Sequence, residues 1–466
     1  MTASLPAAPS LEQLRKQAKD LLRAHRAGEA TAAARLAAHH PRPDEPLKLA
    51  GAQLVVAREH GFPSWPRLRA YVERVAAHGP ELQHAYHEDL EYYEGRAYGL
   101  RASAEDGTEG AAAAFRRWDA PLTERGARTV VARQHGFSTW AGLRRHVASL
   151  RESGEPFARA FRAVEAHDLE ALRAELDRFP DLVAARGTND NDLLGMAGGD
   201  ERLVALLLER GADPSRGNAH GWTPLHQAAY GNDLRLARIL LGEGVPVDVP
   251  ARGDGGTPLV VALFWGNREA AELLAEHGLA PANLRVAAGL GRLDLIDELV
   301  PAGGRVAPEA GAHRGFYRPH SGFPAWHASD DPQQVLDEAL AWAARNDRVD
   351  ALDVLVARGA AVDADVNRGT ALAWAAACGR TGAVRRLLAL GADPNARTTF
   401  GGPEHGDGTT ALHHAAETGR LEAIEALLDA GADPTVRDAF YDGTPARWAE
   451  HNRRHATVEL LRKRGG

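Results

Sequence analysis

Apolar residues near the start of the chain recur at intervals of three and four: Leu11, Leu14, Ala18, Leu21 and Leu22. This is the period of an amphipathic helix, and Ser10 stands directly before it in the position of an N-cap. The following stretch LKLAGAQLVVAREHGF (47–62) continues with a second helical pattern. Because runs of Val, Ile and Thr typical of strands are nearly absent from the chain, the pattern predicts an all-α fold.

A nine-residue signature occurs twice, as AREHGFPSW at residues 57–65 and as ARQHGFSTW at residues 132–140. Its glycine suits the left-handed conformation that ends a helix, and its phenylalanine can fold back onto the last turn. The Ser or Thr before the tryptophan suits the N-cap of a second helix. Each signature therefore predicts a helix, a glycine stop and a second helix that the tryptophan begins.

A DNA-binding helix-turn-helix is the alternative interpretation of this signature. That motif has a buried aliphatic residue at the sixth position after the glycine, where this chain has Arg67 and Gly142. Lys and Arg outnumber Asp and Glu by 12 to 7 in residues 1–76, but residues 77–156 have 10 against 12. Copy two thus lacks the excess of Lys and Arg that binding to nucleic acid requires. We predict two structural helical modules, copy one (1–76) and copy two (77–156), and keep a nucleic-acid-binding regulator as an alternative.

From residue 157 onward the chain repeats one pattern with variations. The clearest copies are GWTPLHQAAYGNDLRLARILLGEGVPVDV (221–249), GGTPLVVALFWGNREAAELLAEHGLAP (255–281), GTALAWAAACGRTGAVRRLLALGADPNAR (369–397), TTALHHAAETGRLEAIEALLDAGADPTVR (409–437) and GTPARWAEHNRRHATVELL (443–461). In most of them a Thr is placed to cap a first helix, small residues allow a second helix to approach, and leucines face the next copy. A Gly-Ala-Asp turn or a variant of it then ends the second helix.

This sequence pattern and its period near 33 residues resemble the ankyrin repeat, a helix-turn-helix-hairpin unit. The resemblance implies that residues 157–466 form a solenoid of about eight or nine units. Degenerate units complete it at 157–187, 188–220, 283–300 and 335–367. The N-terminal pattern is similar to a segment that precedes ankyrin repeats in bacterial proteins. Together these resemblances imply a non-catalytic protein-protein interaction scaffold that binds a macromolecular partner through its concave face and finger loops.

Two loops are longer than a repeat requires, at residues 301–334 and 398–408. A long insertion in a compact array indicates function or disorder, and the aromatic composition of the first loop disfavours disorder. We predict that partner binding involves aromatic, arginine and histidine side chains of both loops and two aromatic residues beside the paired small residues. These candidates are Arg314, Phe316, Tyr317, Arg318, His320, Phe323, Trp326, Phe400, His405, Tyr230 and Trp265.

An enzyme or metal site at the 301–334 insertion is a further alternative. Its histidines recur every seven residues with two aspartates nearby: His313, His320, His327, Asp330 and Asp331. In an irregular loop this spacing does not define a coordination geometry. For catalysis, Cys378 lies in an alanine-rich helical pattern, and G-x-S-x-G, H-E-x-x-H and phosphate-loop motifs are absent. We therefore predict no catalytic residue, no metal and no cofactor.

Several repeat positions hold residues for which packing is the favoured use. His226 and His413 occupy the last position of the Thr-Pro-Leu-His pattern or its variant, where the resemblance implies a hydrogen bond between neighbouring repeats. Three tryptophans fall in one column after that position: Trp342, Trp374 and Trp448. A stacked row of tryptophans is one interpretation of this column, and packing in the interior is the favoured one.

Charge and cysteine content narrow the class of partner. The formal net charge is -8, which disfavours a protein built to bind nucleic acid or an anionic membrane. The single cysteine forms no internal disulfide, so it fits a reducing compartment. No apolar window is long enough to span a membrane. We predict a cytoplasmic, monomeric protein with a protein partner.

Overall fold

The computed structural model describes residues 5, 9–105, 109–251, 255–278, 283–315, 328–366, 369–400 and 406–465. Across these ranges helices dominate, and the predicted all-α class is confirmed. The chain divides into two compact units, one that runs to Pro224 and one that begins at Leu225.

Each predicted copy of the N-terminal module contains four corresponding helices. Copy one holds α1 (Leu11–Arg26), α2 (Ala30–His39), α3 (Leu49–Glu59) and α4 (Trp65–His78). Copy two holds α5 (Leu90–Glu105), α6 (Glu109–Arg117), α7 (Glu124–Gln134) and α8 (Trp140–Ala148), followed by the short α9 (Leu150–Ser153). Ser10 caps α1 by accepting a hydrogen bond from the Gln13 amide at 3.4 Å. Leu14, Ala18 and Leu21 of the apolar stripe are buried, and Leu11 and Leu22 at its margins are partly buried.

The repeated signature forms the predicted turn in both copies. Gly61 and Gly136 have φ angles of 78° and 76°, in the left-handed region that ends a helix without steric cost for glycine. The amides of Phe62 and Phe137 donate back to carbonyls of the preceding helix at 2.9 Å. Trp65 then begins α4, as Trp140 begins α8.

The first signature contacts the first repeat-like helices of the same unit, and the second contacts the segment between two of them. These helices are α10 (Pro156–Glu165), α11 (Leu169–Arg178), α12 (Leu193–Met196) and α13 (Glu201–Glu209). Arg159 donates to the Gly61 carbonyl at 3.2 Å, and the His135 Nε2 lies 2.9 Å from the Thr188 hydroxyl. Two short strands, β1 (Gln83–His84) and β2 (Arg186–Gly187), pair in parallel. The signature is therefore a structural joint, while the domain boundary after residue 156 stays a prediction about sequence organisation.

The second unit is a stack of helix pairs. Its first helices are α14 (Pro224–Gly231), α16 (Pro258–Trp265), α18 (Leu284–Leu290), α20 (Pro332–Arg345), α22 (Ala371–Ala377), α24 (Ala411–Thr418) and α26 (Pro445–His451). Its second helices are α15 (Leu234–Gly242), α17 (Arg268–His277), α19 (Leu293–Leu299), α21 (Val349–Ala357), α23 (Thr381–Ala389), α25 (Leu421–Asp429) and α27 (His455–Lys463). From α16 onward, each first helix packs against the next one in the described stack.

Local sequence explains where these helices begin and end. Thr257 and Thr370 cap α16 and α22 by accepting hydrogen bonds from amides at 3.3 and 3.1 Å. Gly391 and Gly431 take φ angles of 94° and 92°, each after the C-cap residue of α23 or α25. The paired alanines of α14, α22 and α24 are buried, so the helices approach closely.

The longer of the two predicted loops, 301–334, ends a few residues earlier in the structure than the sequence analysis predicts. Its last residues already form α20, which begins at Pro332 and extends one or more turns beyond the other first helices. On either side of residues 401–405, β3 (Thr398–Phe400) pairs antiparallel with β4 (Gly406–Thr409), as a longer hairpin requires.

Candidate partner-binding surface

Tyr230 and Trp265, two of the predicted partner-binding residues, lie close together at the C-terminal ends of α14 and α16. Their ring centroids are 5.3 Å apart and their planes meet at 88°, an edge-to-face pair. Tyr230 is 41% exposed and Trp265 is partly exposed. The pair is thus a partly exposed aromatic surface at the C-terminal ends of α14 and α16.

The tryptophans of the next repeats are buried instead. Trp342 and Trp374 are almost inaccessible, and Phe264 lies with its ring centroid 6.1 Å from that of Trp342 and 5.5 Å from that of Trp374. Packing, the favoured use of this column, is confirmed for these two residues. Trp448 is half-buried, and its indole Nε1 donates to Asp438 at 2.9 Å.

A buried arginine stands among these rings. The Arg345 guanidinium carbon lies 3.8 Å from the ring centroid of Trp374 and 4.6 Å from that of Phe264. It also donates to the Phe264 carbonyl at 2.9 Å. Burial lowers the pKa of Arg345 to about 9. Aromatic faces attract a desolvated guanidinium, so this group, which we call the Arg345 cluster, belongs to the interior of the unit.

Polar side chains from the segments directly after α20 and α22 lie at the C-terminal end of α16. The Asn346 side chain donates to the Leu263 carbonyl at 2.8 Å, and Arg380 donates to that of Gly266. A side chain at Gly266, where φ is 70°, would place its Cβ 2.5 Å from the Arg345 carbonyl oxygen. Cys378 is also close, and burial raises the pKa of its thiol. The hydrogen bonds attach the later repeats to the C-terminal end of α16. Because its thiol pKa is raised, Cys378 is protonated at neutral pH.

The ends of the 301–334 insertion are attached to the array by a buried ion triad. Glu338 accepts from Arg285 at 3.1 Å and from Arg314 at 2.7 Å, and all three side chains are buried. Arg285 also donates to the carbonyl of His313 at 3.2 Å, while Arg314 donates to that of Ser329. Arg314 was predicted as a partner-binding residue. In the structure this residue is 2% exposed, and its guanidinium holds the base of the insertion.

The remaining predicted residues fall mostly outside the described ranges. These are Phe316, Tyr317, Arg318, His320, Phe323, Trp326 and His405. Phe400 is described by its backbone alone, as the last residue of β3. Their assignment to partner binding therefore stays a prediction.

The structure also shows an exposed aromatic pair that the sequence pattern did not single out. Phe440 and Tyr441 are 51% and 60% exposed, with ring centroids 4.6 Å apart at 89°. They lie at the tip of the loop formed by residues 438–443, which is part of the connection between α25 and α26. Two consecutive aromatic residues between an Asp and a Gly in a turn were the available signal.

A single carboxylate organises this loop. Asp438 is buried and accepts four hydrogen bonds: from the amides of Phe440 (2.9 Å), Tyr441 (2.6 Å) and Gly443 (2.9 Å), and from the Trp448 indole (2.9 Å). Although burial opposes it, these donors lower the pKa of the Asp438 carboxyl. The loop is therefore fixed from beneath while its aromatic tip faces outward.

The two repeat histidines make the expected contacts between neighbouring repeats. His226 Nε2 lies 3.0 Å from the Gly256 carbonyl, and His413 Nε2 lies 3.1 Å from that of Gly443. Burial lowers the pKa of His413 to about 4, so its imidazole is neutral at physiological pH. These histidines serve the fold.

The described part of the chain contains neither a candidate metal site nor a membrane-spanning helix. Among its residues, no three His, Cys, Asp or Glu side chains are grouped so that they could hold a metal ion. His320 and His327, two of the histidines spaced seven residues apart, lie outside that part of the chain. Over the same described ranges, no helix combines the length and apolar character needed to cross a membrane.

With this architecture established, family comparison identifies the class of protein. The family model for ankyrin repeats (3 copies) matches residues 194–285 and 284–398, and the model for the single ankyrin repeat matches residues 407–439. Together they cover just over half of the chain. The chain belongs to the ankyrin-repeat family, and its fold is the all-α ankyrin-repeat solenoid.

Individual relatives match over short segments. The chain is 42% identical over 80 residues to the bovine (Bos taurus) SMC5-SMC6 complex localization factor protein 1, which covers 17% of this chain and 7% of the relative. It is 42% identical over 78 residues to the E3 ubiquitin-protein ligase KEG of Arabidopsis thaliana, or 16% of this chain and 5% of the relative. Protein PhlB of Serratia liquefaciens is 33% identical over 109 residues, covering 23% and 47%. The chain thus spans less than half the length of each of these relatives.

Proposed function

We propose that this protein is a non-catalytic scaffold that binds a protein partner through the concave face and finger loops of its ankyrin array. Ankyrin repeats are generally protein-protein interaction modules, which supports the class of function. The single cysteine supports a reducing, cytoplasmic setting. A monomeric chain presenting one array is sufficient for this activity.

The observation that carries the proposal is the partly exposed Tyr230–Trp265 pair. Aromatic side chains are enriched among the few residues that dominate binding energy at interfaces. The edge-to-face contact and the helix ends hold both rings in place, so a partner would immobilise little additional side-chain freedom.

Affinity capture from lysate tests this proposal. The wild-type chain and a Tyr230→Ala/Trp265→Ala variant are compared, with Tyr98→Ala as a matched control because Tyr98 is 47% exposed but lies in the first unit. We expect the double variant to lose at least about tenfold of the captured partner and the control to retain it. Equal capture by all three proteins at equal thermal stability would contradict the assignment of this surface.

A further inference from the structure

The 438–443 loop has the properties of a preformed docking element. Its two rings, Phe440 and Tyr441, are among the most exposed large apolar side chains of the described chain. An aromatic pair left in solvent at the tip of a finger is costly unless something covers it, and exposed apolar groups of this kind mark interaction sites.

The base of the loop is tied on three sides. Asp438 accepts the loop amides, the Ala439 amide donates to the Asp407 carbonyl at 2.9 Å, and the Gly443 carbonyl lies 3.1 Å from His413 Nε2. Because the backbone is already fixed, binding at the tip would lose little conformational entropy.

The loop continues into a row of hydrogen-bonded fingers. The Asp365 carboxylate accepts from the Thr399 amide at 2.7 Å, and Thr399 is paired with Asp407 across the β3–β4 hairpin. The backbone carbonyl of Asp407 in turn accepts a hydrogen bond from the Ala439 amide of the 438–443 loop. Three successive fingers thus form one continuous edge, along which an extended chain can run.

This edge carries a strong excess of negative charge. Its described residues, 360–366, 390–399, 406–410 and 430–444, include these acidic residues: Asp363, Asp365, Asp393, Asp407, Asp433, Asp438 and Asp442. The same ranges contain two basic residues, Arg397 and Arg437. Arg397 donates to the Arg437 carbonyl at 3.1 Å, and Arg437 pairs with Asp442 at 3.0 Å. The local field therefore favours a cationic partner.

We propose that the finger edge from Asp365 to Gly443 binds an extended, arginine- or lysine-bearing segment of a partner protein, with the Phe440–Tyr441 pair as its anchor. Aromatic faces bind guanidinium and ammonium groups, while the surrounding carboxylates attract the same charges. This proposal rests on the scaffold function above and specifies the chemistry of the partner.

The test uses a short fluorescein-labelled peptide of alternating arginine and glycine, titrated with the full chain and followed by fluorescence anisotropy. We expect the wild-type chain to bind it with an affinity that falls as salt is raised, because exposed charges are screened. A peptide of alternating glutamate and glycine should not bind. The Phe440→Ala/Tyr441→Ala variant should raise the Kd about tenfold, whereas Tyr98→Ala should leave the Kd unchanged.

A charge variant separates attraction from stacking. The Asp407→Asn/Asp442→Asn variant keeps both aromatic rings and should raise the Kd about threefold at low salt. Asn is a suitable replacement because position 442 has φ of 50°, which Asn tolerates. Melting temperatures of all variants should match the wild type.

Specific outcomes overturn the proposal: no binding of the arginine peptide, equal binding of the glutamate peptide, or an unchanged Kd in the aromatic variant. Self-association of the chain that is lost in Phe440→Ala/Tyr441→Ala would assign the loop to a second copy and also overturn it. If partner capture survives in that variant but is lost in Tyr230→Ala/Trp265→Ala, the scaffold function stands and the finger assignment fails. If Phe440→Ala/Tyr441→Ala weakens peptide binding and neither double variant changes partner capture, the finger assignment stands and the Tyr230–Trp265 surface fails.

Discussion

Two regions of the second unit combine aromatic rings with a charged side chain, but they differ in burial. In the Arg345 cluster, Trp342 and Trp374 are buried around the guanidinium. In the 438–443 loop, Phe440 and Tyr441 face solvent above a buried Asp438. The cluster uses its rings for stability, and the loop leaves its rings available for contact.

The difference shows that residue type alone does not separate an interior cluster from a docking surface. Arg345 lies at the end of a first helix that packs on two neighbours, so its charge is enclosed. Phe440 lies in a turn whose amides are bound by one carboxylate, so its ring packs edge-to-face on Tyr441 and stays half exposed. Position within the repeat decides the outcome.

The largest effect is expected at Glu338. Glu338→Gln leaves Arg285 and Arg314 buried without a carboxylate, and breaking a buried ion pair in this way costs about 3–5 kcal/mol. Urea denaturation followed by circular dichroism should show a lower unfolding midpoint. Glu459→Gln is the control, because its pair with Lys463 at 2.7 Å is fully exposed, and its midpoint should match wild type. An unchanged midpoint in Glu338→Gln would refute a structural role for the triad.

Trp374→Ala should destabilise the unit nearly as much. Removing a buried tryptophan leaves a cavity beside Arg345 and costs about 3–5 kcal/mol. Tyr441→Ala, in the exposed loop, should change the unfolding free energy by less than about 0.5 kcal/mol. The two variants are compared in one urea series. Similar losses in both would remove the contrast between the two regions.

Acid should weaken the contact that supports the loop. Burial lowers the pKa of His413 to about 4, while an unfolded histidine titrates near 6.5. Because the folded pKa is the lower one, protonation favours unfolding. The contribution of neutral His413 to the free energy of unfolding is fully present above about pH 6.5. It falls by up to about 3 kcal/mol as the pH approaches 4.

The comparison of wild type with His413→Gln isolates this effect, because other buried histidines such as His84 and His135 are common to both proteins. The difference in unfolding free energy between the two proteins should shrink between pH 7 and pH 5. A difference that is constant over this range would show that His413 does not titrate with unfolding.

A smaller effect is expected at Asp438. Asp438→Asn replaces a charged acceptor of four hydrogen bonds with a neutral amide and should cost about 1–3 kcal/mol. Hydrogen exchange of the Tyr441 amide should accelerate. Asp442→Asn, one position beyond Tyr441, should leave that exchange rate unchanged. Unaltered exchange in Asp438→Asn would mean that the loop is held by other contacts.

Much of the fold follows from local sequence signals. The glycine stops of the N-terminal signature, the threonine caps and the apolar stripe of α1 each act within a few residues of chain, so their positions in sequence predict their structure. The 34-residue spacing from Thr223 to Thr257 likewise indicated repeated stacking.

The candidate surface was predicted less completely. Tyr230 and Trp265 were named from their place in the repeat and lie together, whereas Arg314 was grouped with exposed anchors and is buried against Glu338. Phe440 and Tyr441 were not singled out, because their exposure depends on the contacts of Asp438. The distinction required knowing which side chains have neighbours on all sides.

By itself the sequence determined the helical class and indicated the ankyrin family, since caps, glycine stops and apolar spacing act locally. Tertiary structure alone decided which arginines and aromatic rings are enclosed. Glu338 meets Arg285 and Arg314, which precede it by 53 and 24 residues, and Phe264 meets Trp374 across several helices. Burial is a property of such distant contacts, and no local pattern specifies it.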